Sequence, residues 1–259
     1  MQLNFDSTYG ERNFRGIIDD VRIYHSALSS SEVAIIFDTT NPTTNISTPS
    51  DNSYSTSTTV SLTGTSSDAN LSTTTISVDG GSFEATGGTA ASWTYSTSSL
   101  SQGVHTFVSK AADLAGNTGT STTVHVTVDT VAPTNSISPP SISLASSTSA
   151  VTYTITYSGA DSVTLANGNI TLNKTGTATG TAVVSGTGTS TRTVTISSIS
   201  GDGTLGISIS AGTASDTAGN TSLSAGPSTT FTVNTNGPTV TFSIPTTANS
   251  LTITFTTLS

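Results

Sequence analysis

The stretch "TTVHVTVDTVAPT" (122–134) spaces Val124, Val126 and Val128 two residues apart and ends in a proline-bearing connector. Period-two alternation puts the three valines on one face of a strand and His125 and Thr127 on the other. The connector stops the ladder, because Pro133 has no N–H to donate and a locked φ. Two other stretches read alike: "DTTNPT" (38–43) and "NTNGPT" (234–239). Pro42, Pro133 and Pro238 therefore recur at about one hundred residues, the size of one antiparallel sandwich. Recurrence at that period is the mark of an array of similar units.

Between the connectors the alternation continues, bounded by Gly and Asn turns. In the first interval it aligns Val60 with Leu62, Ile76 with Val78, and Trp93 with Tyr95. In the second it aligns Val151, Tyr153, Ile155 and Tyr157, then Val194 with Ile196, then Leu205, Ile207 and Ile209, and finally Phe231 with Val233. About seven short strands per interval predict an all-β chain of tandem immunoglobulin-like β-sandwiches with partial flanking modules. The expected units are 1–38, 39–131, 132–236 and 237–259, the last reading as the opening strands of a further sandwich.

Composition agrees. Charged residues make up only 8% and hydrophobic residues 32% of the 259, and Ser, Thr and Gly fill the difference. Disordered chains of low hydrophobicity usually carry dense charge. Thr instead favours strands, so thin sandwiches remain within reach. The net charge of −9, with six Lys and Arg, argues against a nucleic-acid or anionic-membrane partner. Acidic side chains leave hard cations open as ligands. With no Cys, disulfides and thiolate metal sites are excluded. No apolar run reaches the roughly 18 residues of a membrane helix, and "MQLNFDSTYG" (1–10) lacks the basic and apolar regions of a signal peptide. Both ends read as cut from a longer polypeptide.

Residues 1–38 are different in kind, holding Arg12, Arg15 and Arg22, half of the basic residues. "GIIDDVRIY" (16–24) predicts a strand. Ser29-x-x-Glu32 before a short apolar run predicts a capping box and one brief helix. Asp19 and Asp20, adjacent on that strand, would point to opposite faces and so do not make a carboxylate pair.

"DLAGNT" (113–118) and "DTAGNT" (216–221) repeat an Asp-x-Ala-Gly-Asn-Thr turn before the last strand of each unit. One reading is structural: Asp caps backbone N–H groups, Gly supplies positive φ and Asn tolerates it. The other is ligation. In an immunoglobulin-type sandwich the loops after the second and sixth strands share the end where the chain arrives. That topology gathers Asp38, Asp68 and Asp113 in the first unit, and Asp129, Asp161 and Asp216 in the second. Three converging carboxylates at a domain junction suit Ca²⁺, which takes six to eight oxygens. Catalytic patterns are missing: there is no Gly-x-Ser-x-Gly elbow, and no phosphate loop with its Lys. His25, His105 and His125 lack metal-ligand spacing and read as exposed strand residues.

Two resemblances add to this. "FRGIIDDVRIYHSALSSSEVAIIF" (14–37) resembles the C-terminal strand and helix turn of laminin-G-like, concanavalin A-like lectin jelly rolls. Residues 39–237 resemble bacterial immunoglobulin-like repeats of surface proteins, through the connectors, "SVDGG" (77–81), "SWTYSTSSLSQGVHTF" (92–107) and the two Asp-x-Ala-Gly-Asn turns. The second repeat departs from the first: it has no Trp, its outgoing connector begins with Asn234, and its middle section is longer. The resemblances imply a non-enzymatic stalk module of a bacterial extracellular or cell-surface protein, spacing a lectin-like head for adhesion. Its partners would be neighbouring domains of the same polypeptide, with a carbohydrate or surface protein as ligand. The alternative is the carbohydrate-binding accessory region of a secreted polysaccharide-degrading enzyme. A third reading gives sugar binding to Trp93 and Tyr95, although their shared face suits a core.

Overall fold

The computed structural model describes residues 22–236, 239–243 and 252–256. Helix α1 (Ser30–Ile36) comes first, and it forms where the capping box was expected. The Ser29 hydroxyl accepts from the Glu32 N–H, and the Glu32 carboxylate accepts from the Ser29 N–H at 2.8 Å. The strand expected at 16–24 is not seen where it can be checked. Arg22–Tyr24 carry no regular structure, and 16–21 lie outside the described residues. The Asp19–Asp20 reading also falls outside them.

Ten strands follow: β1 (Thr43–Thr48), β2 (Ser53–Ser55), β3 (Ser61–Ser67), β4 (Leu71–Val78), β5 (Glu84–Ala85), β6 (Gly87–Gly88), β7 (Ser92–Ser96), β8 (Gly103–Asp113), β9 (Thr118–Thr120) and β10 (Val124–Val128). One sheet runs β1-β3-β7-β6 and the other β2-β10-β8-β4-β5, with β9 paired to β8. The chain changes sheets between β1 and β2 at Pro49, a residue that cannot donate to a ladder. After the change β2 runs parallel to β10, matching Val126 with Ser53. The Asp79-Gly80 turn closes Val78 to Gly81 with both central residues at positive φ, 52° and 70°. Such primed turns suit right-twisted strands.

The same plan recurs in β11 (Thr134–Ile137), β12 (Leu144–Ala145), β13 (Val151–Ser158), β14 (Ser162–Val163), β15 (Ile170–Lys174), β16 (Thr179–Ser185), β17 (Thr191–Ser200), β18 (Gly203–Ile209), β19 (Ala214–Ser215) and β20 (Phe231–Val233). Here the sheets are β11-β13-β17-β16 and β12-β20-β18-β15, with β12 parallel to β20. A small extra pair, β14 with β19, laces two loops together at the incoming end. A final antiparallel pair, β21 (Thr239–Ser243) with β22 (Thr252–Thr256), lies in the stretch read as an opening module. The chain is thus all-β, with tandem immunoglobulin-like sandwiches.

The expected apolar rows form two separate cores. The first gathers Leu62, Ile76, Trp93, Phe107 and Val126; the second gathers Tyr153, Ile155, Val194, Ile196, Leu205, Ile207 and Phe231. Each large buried side chain contributes about 1.5–3 kcal/mol. Trp93 is fully buried against Gly64, where a Cβ would overlap the indole and the Asn45 carbonyl. Fewer apolar side chains are buried in the first core than in the second, and buried and half-buried hydroxyls lie beside them. Ser109 of one sheet meets Thr44 of the other at 2.9 Å, Thr44 accepts from Ser66, and the Thr74 hydroxyl shares its one proton between Ser66 Oγ and the Ala90 carbonyl, each 2.9 Å away. Every member of that chain has a partner, as buried polar groups require.

Candidate functional site at the module junctions

The two Asp-x-Ala-Gly-Asn turns have the same geometry. Gly116 and Gly219 take positive φ, 95° and 96°. In the first, Asp113 accepts from the Asn117 backbone N–H and from its side-chain amide, both at 2.8 Å. In the second, Asp216 accepts the same two bonds from Asn220, at 2.8 and 2.9 Å. The amide then reaches outside the turn. Asn117 Nδ2 donates to the Asp38 carbonyl at 3.0 Å, and Asn220 Nδ2 donates to the Asp129 carbonyl at 2.9 Å. Each turn therefore holds the first residue of the connector that leads into its own sandwich.

The connectors share a second device. Asp38 Oδ1 accepts from the Thr40 N–H, Asp129 Oδ1 from the Val131 N–H, and Asn234 Oδ1 from the Asn236 N–H. These are Asx turns, which Asp and Asn build equally well, and this is why Asn234 replaces Asp without changing the connector. The parallel edge strands join in: the Asp129 N–H donates to the Ser55 carbonyl at the end of β2, and the Asn234 N–H to the Ala145 carbonyl at the end of β12.

The sandwich just before each connector supplies the opposing grip. Gln102 accepts from the Thr130 N–H at 3.0 Å and donates to the Thr130 hydroxyl at 2.8 Å. One repeat later Asp202 accepts from the Thr235 N–H at 3.0 Å and from the Asn236 amide at 2.7 Å. Gln102 precedes β8 and Asp202 precedes β18, so the two clamps occupy matching loops. Asp129 and Thr130, adjacent in the chain, are thereby held by both neighbouring sandwiches. Gln102 and Asp202 were missed in the sequence, because a lone polar residue in a loop carries no pattern.

The expected carboxylate groupings divide. Asp38, Asp68 and Asp113 place one oxygen each within 4.8 Å of one another, at the end where the chain arrives. Asp129, Asp161 and Asp216 form no such group among the described residues. Asp161 instead accepts from the Thr217 N–H and hydroxyl, at 2.8 and 2.6 Å. The first three could offer oxygens to a hard cation such as Ca²⁺. Most of those oxygens already take an N–H or O–H: from Thr40 and Asn70 at Asp38, Asn70 at Asp68 and Asn117 at Asp113. A cation there would share lone pairs with these donors. The Thr40 hydroxyl and N–H, with the Asn70 amide, hold the Asp38 carboxyl below the usual range. At Asp216 burial pushes upward, but the Asn220 amide and N–H outweigh it and the net direction is down.

The histidines need a correction. His105 is buried, not exposed, because β8 turns it to the inner face at the outgoing end. It meets Asp79 at 2.7 Å and the Ser101 carbonyl at 2.9 Å. His125, partly exposed on the opposite face of β10, meets Asp51 at 2.9 Å. Tyr95 is partly buried against the first core and bonded to Glu84, which with burial pushes its phenol up to about 12. The indole face offered for sugar binding is thus enclosed. The groove between β11 and residues 225–229 is lined by no titratable side chain. Among the described residues no helix is long and apolar enough to cross a membrane.

No curated protein matches the chain. Among solved structures, the chain is similar to the fibronectin(III)-like modules of CbhA from Clostridium thermocellum, with 14% identity over 74% of this chain and 94% of that one (TM-score 0.38). It is similar to a 1.5-MDa bacterial ice-binding adhesin, with 19% identity over 81% and 71% (TM-score 0.39). It is also similar to the Escherichia coli adhesin FdeC, with 15% identity over 80% and 68% (TM-score 0.31). Residues 33–130, from α1 through the first sandwich, match the family model of the bacterial Ig-like domain.

Proposed function

We propose that this chain is a non-enzymatic spacing segment of a bacterial extracellular or cell-surface protein, which projects an adhesive part away from its anchorage. The observation that carries the reading is the two-sided grip on the connector: Asn220 holds the Asp129 carbonyl from one sandwich and Gln102 holds Thr130 from the other. A flexible tether has no use for such bonds, since each restricts backbone freedom that costs about 1–2 kcal/mol per residue to fix. A rod does need them. The body to be projected would be the laminin-G-like fold that 14–37 resembles, and its ligand a carbohydrate or surface protein. The match of 33–130 to bacterial Ig-like domains supports an extracellular setting. Residual dipolar couplings on the 259-residue chain test the rod. One common alignment tensor is expected for both sandwiches, splitting into two when Gln102→Ala and Asn220→Ala are combined. Independent tensors in the unaltered chain would end the spacer reading.

A further inference from the structure

We propose that His105 is a proton-dependent latch at the outgoing end of the first sandwich. As an imidazolium it bridges Asp79 and the Ser101 carbonyl, and so steadies the loop from which Gln102 grips the connector. Both ring nitrogens face groups that only accept: the Asp79 carboxylate at 2.7 Å from Nδ1 and the Ser101 carbonyl at 2.9 Å from Nε2. A neutral imidazole donates from one nitrogen only, so either tautomer would set a lone pair against an acceptor oxygen. Doubly protonated, the ring satisfies both. The His105 ring is itself buried, while Asp79 and Ser101 are exposed, so water reaches the two acceptors more readily than the ring nitrogens between them. Asp79 is itself fixed by the Thr106 N–H at 2.8 Å.

The surroundings leave the charge of the ring to this one partner. On β8 the flanking Val104 and Thr106 face away, and the residue opposite on β10 is Val126. His125 lies on the other face of β10 with Asp51. Across the sandwich β3 and β7 turn Leu62, Trp93 and Tyr95 inward, and the Tyr95 phenol stays protonated throughout the range concerned. The Asp79 hydrogen bond raises the His105 pKa above its ordinary 6.5, against a downward push from burial. A raised histidine stabilises the fold fully below about 6.5, and loses that contribution as pH rises through the folded value. Alkalinisation therefore frees Ser101, and with it the neighbouring Gln102, from the end of the sandwich.

The inference rests on the spacer reading only for its consequence, and its test does not. Side-chain NMR of the 259-residue chain between about pH 5 and 9 follows His105 apart from His25 and His125. His105 is expected to titrate above 6.5, and Asp79→Asn, which tolerates the positive φ, to bring it back down. Amide exchange at Thr130, corrected for intrinsic base catalysis, should lose protection over the same pH interval. In His105→Gln, which has one donor and one acceptor group, Thr130 protection should be low at every pH. A His105 titration at or below 6.5 overturns the latch, and so does Thr130 protection that ignores that titration. Two independent alignment tensors, by contrast, would refute the rod and leave the His105 results standing.

Discussion

Replacing Asn220 by Ala removes two hydrogen bonds and leaves the backbone N–H bond to Asp216 in place. The amide bond to the Asp216 carboxylate, at 2.9 Å, is charge-assisted and worth about 1.5–3 kcal/mol. The bond to the Asp129 carbonyl, also 2.9 Å, is neutral and worth about 0.5–1.5 kcal/mol. Both are only partly buried, so water replaces some of each, and the lower bounds are the better guide: about 2 kcal/mol. In a sandwich of about one hundred residues that lowers the midpoint by about 8–15 °C. Urea unfolding of the 259-residue chain, followed by the resolved NMR signals of Tyr153 and Tyr157 in the second core, reads that repeat apart from the first. The connector adds a sharper requirement. Gln102 and Asn220 do not touch, yet they hold adjacent residues, so their double-mutant cycle should couple, whereas distant independent sites add. A loss below about 0.5 kcal/mol for Asn220→Ala would show the turn to be decoration. Strict additivity would show that the grips act separately and the connector is not a joint.

Other perturbations probe the remaining claims. Gly64→Ala should destabilise the first repeat by about 1–3 kcal/mol or more, because the new methyl overlaps the Trp93 ring; calorimetry should show one transition lowered and the other unmoved. Arg192 spreads three bonds over the carbonyls of Gly188, Thr191 and Val163, so Arg192→Lys should cost the second repeat about 1–2 kcal/mol in denaturant titration. Asp216 has a lowered carboxyl, so its contribution is fully present above the ordinary 3.8 and is lost as pH falls through the lower folded value. Acid unfolding of Asp216→Asn should accordingly be flatter than that of the unaltered chain below about pH 4. Asp38, Asp68 and Asp113 repel one another at close range, so in chelator Asp68→Asn should raise the first midpoint by a few degrees at most. Millimolar Ca²⁺ should close that gap by raising the unaltered chain, and superimposable melts with and without Ca²⁺ would remove the cation from this site.

What the sequence disclosed follows from how far each signal reaches along the chain. Val124, Val126 and Val128 reveal a strand because their spacing is a local property of the pleat. The Pro-centred connectors reveal the repeat because a missing N–H ends a ladder wherever it falls. Pairing Asp38 with Asp113 needed only the topology of the sandwich, and the three first-repeat carboxylates do converge. The second set shows where such reasoning stops. Thr217 stands where the first turn has Leu114, and its N–H and hydroxyl both go to Asp161. One side chain thus redirects a carboxylate that topology alone would send to the cluster. His105 was misread for a related reason. Its strand is inward-facing to the end of the sandwich, and only the Asp79 turn and the Ser101 carbonyl make that burial tolerable for an ionisable ring. Gln102, Asp202 and the amides of Asn117 and Asn220 act on backbone atoms between 28 and 91 positions away. A backbone atom has no residue type, so bonds of this kind leave no compositional trace on the side that receives them. The grips are nonetheless the bonds by which two sandwiches hold one connector, and the proposed rod depends on them. The part of the chain most closely tied to the proposed role is therefore the part that only the three-dimensional arrangement exposes.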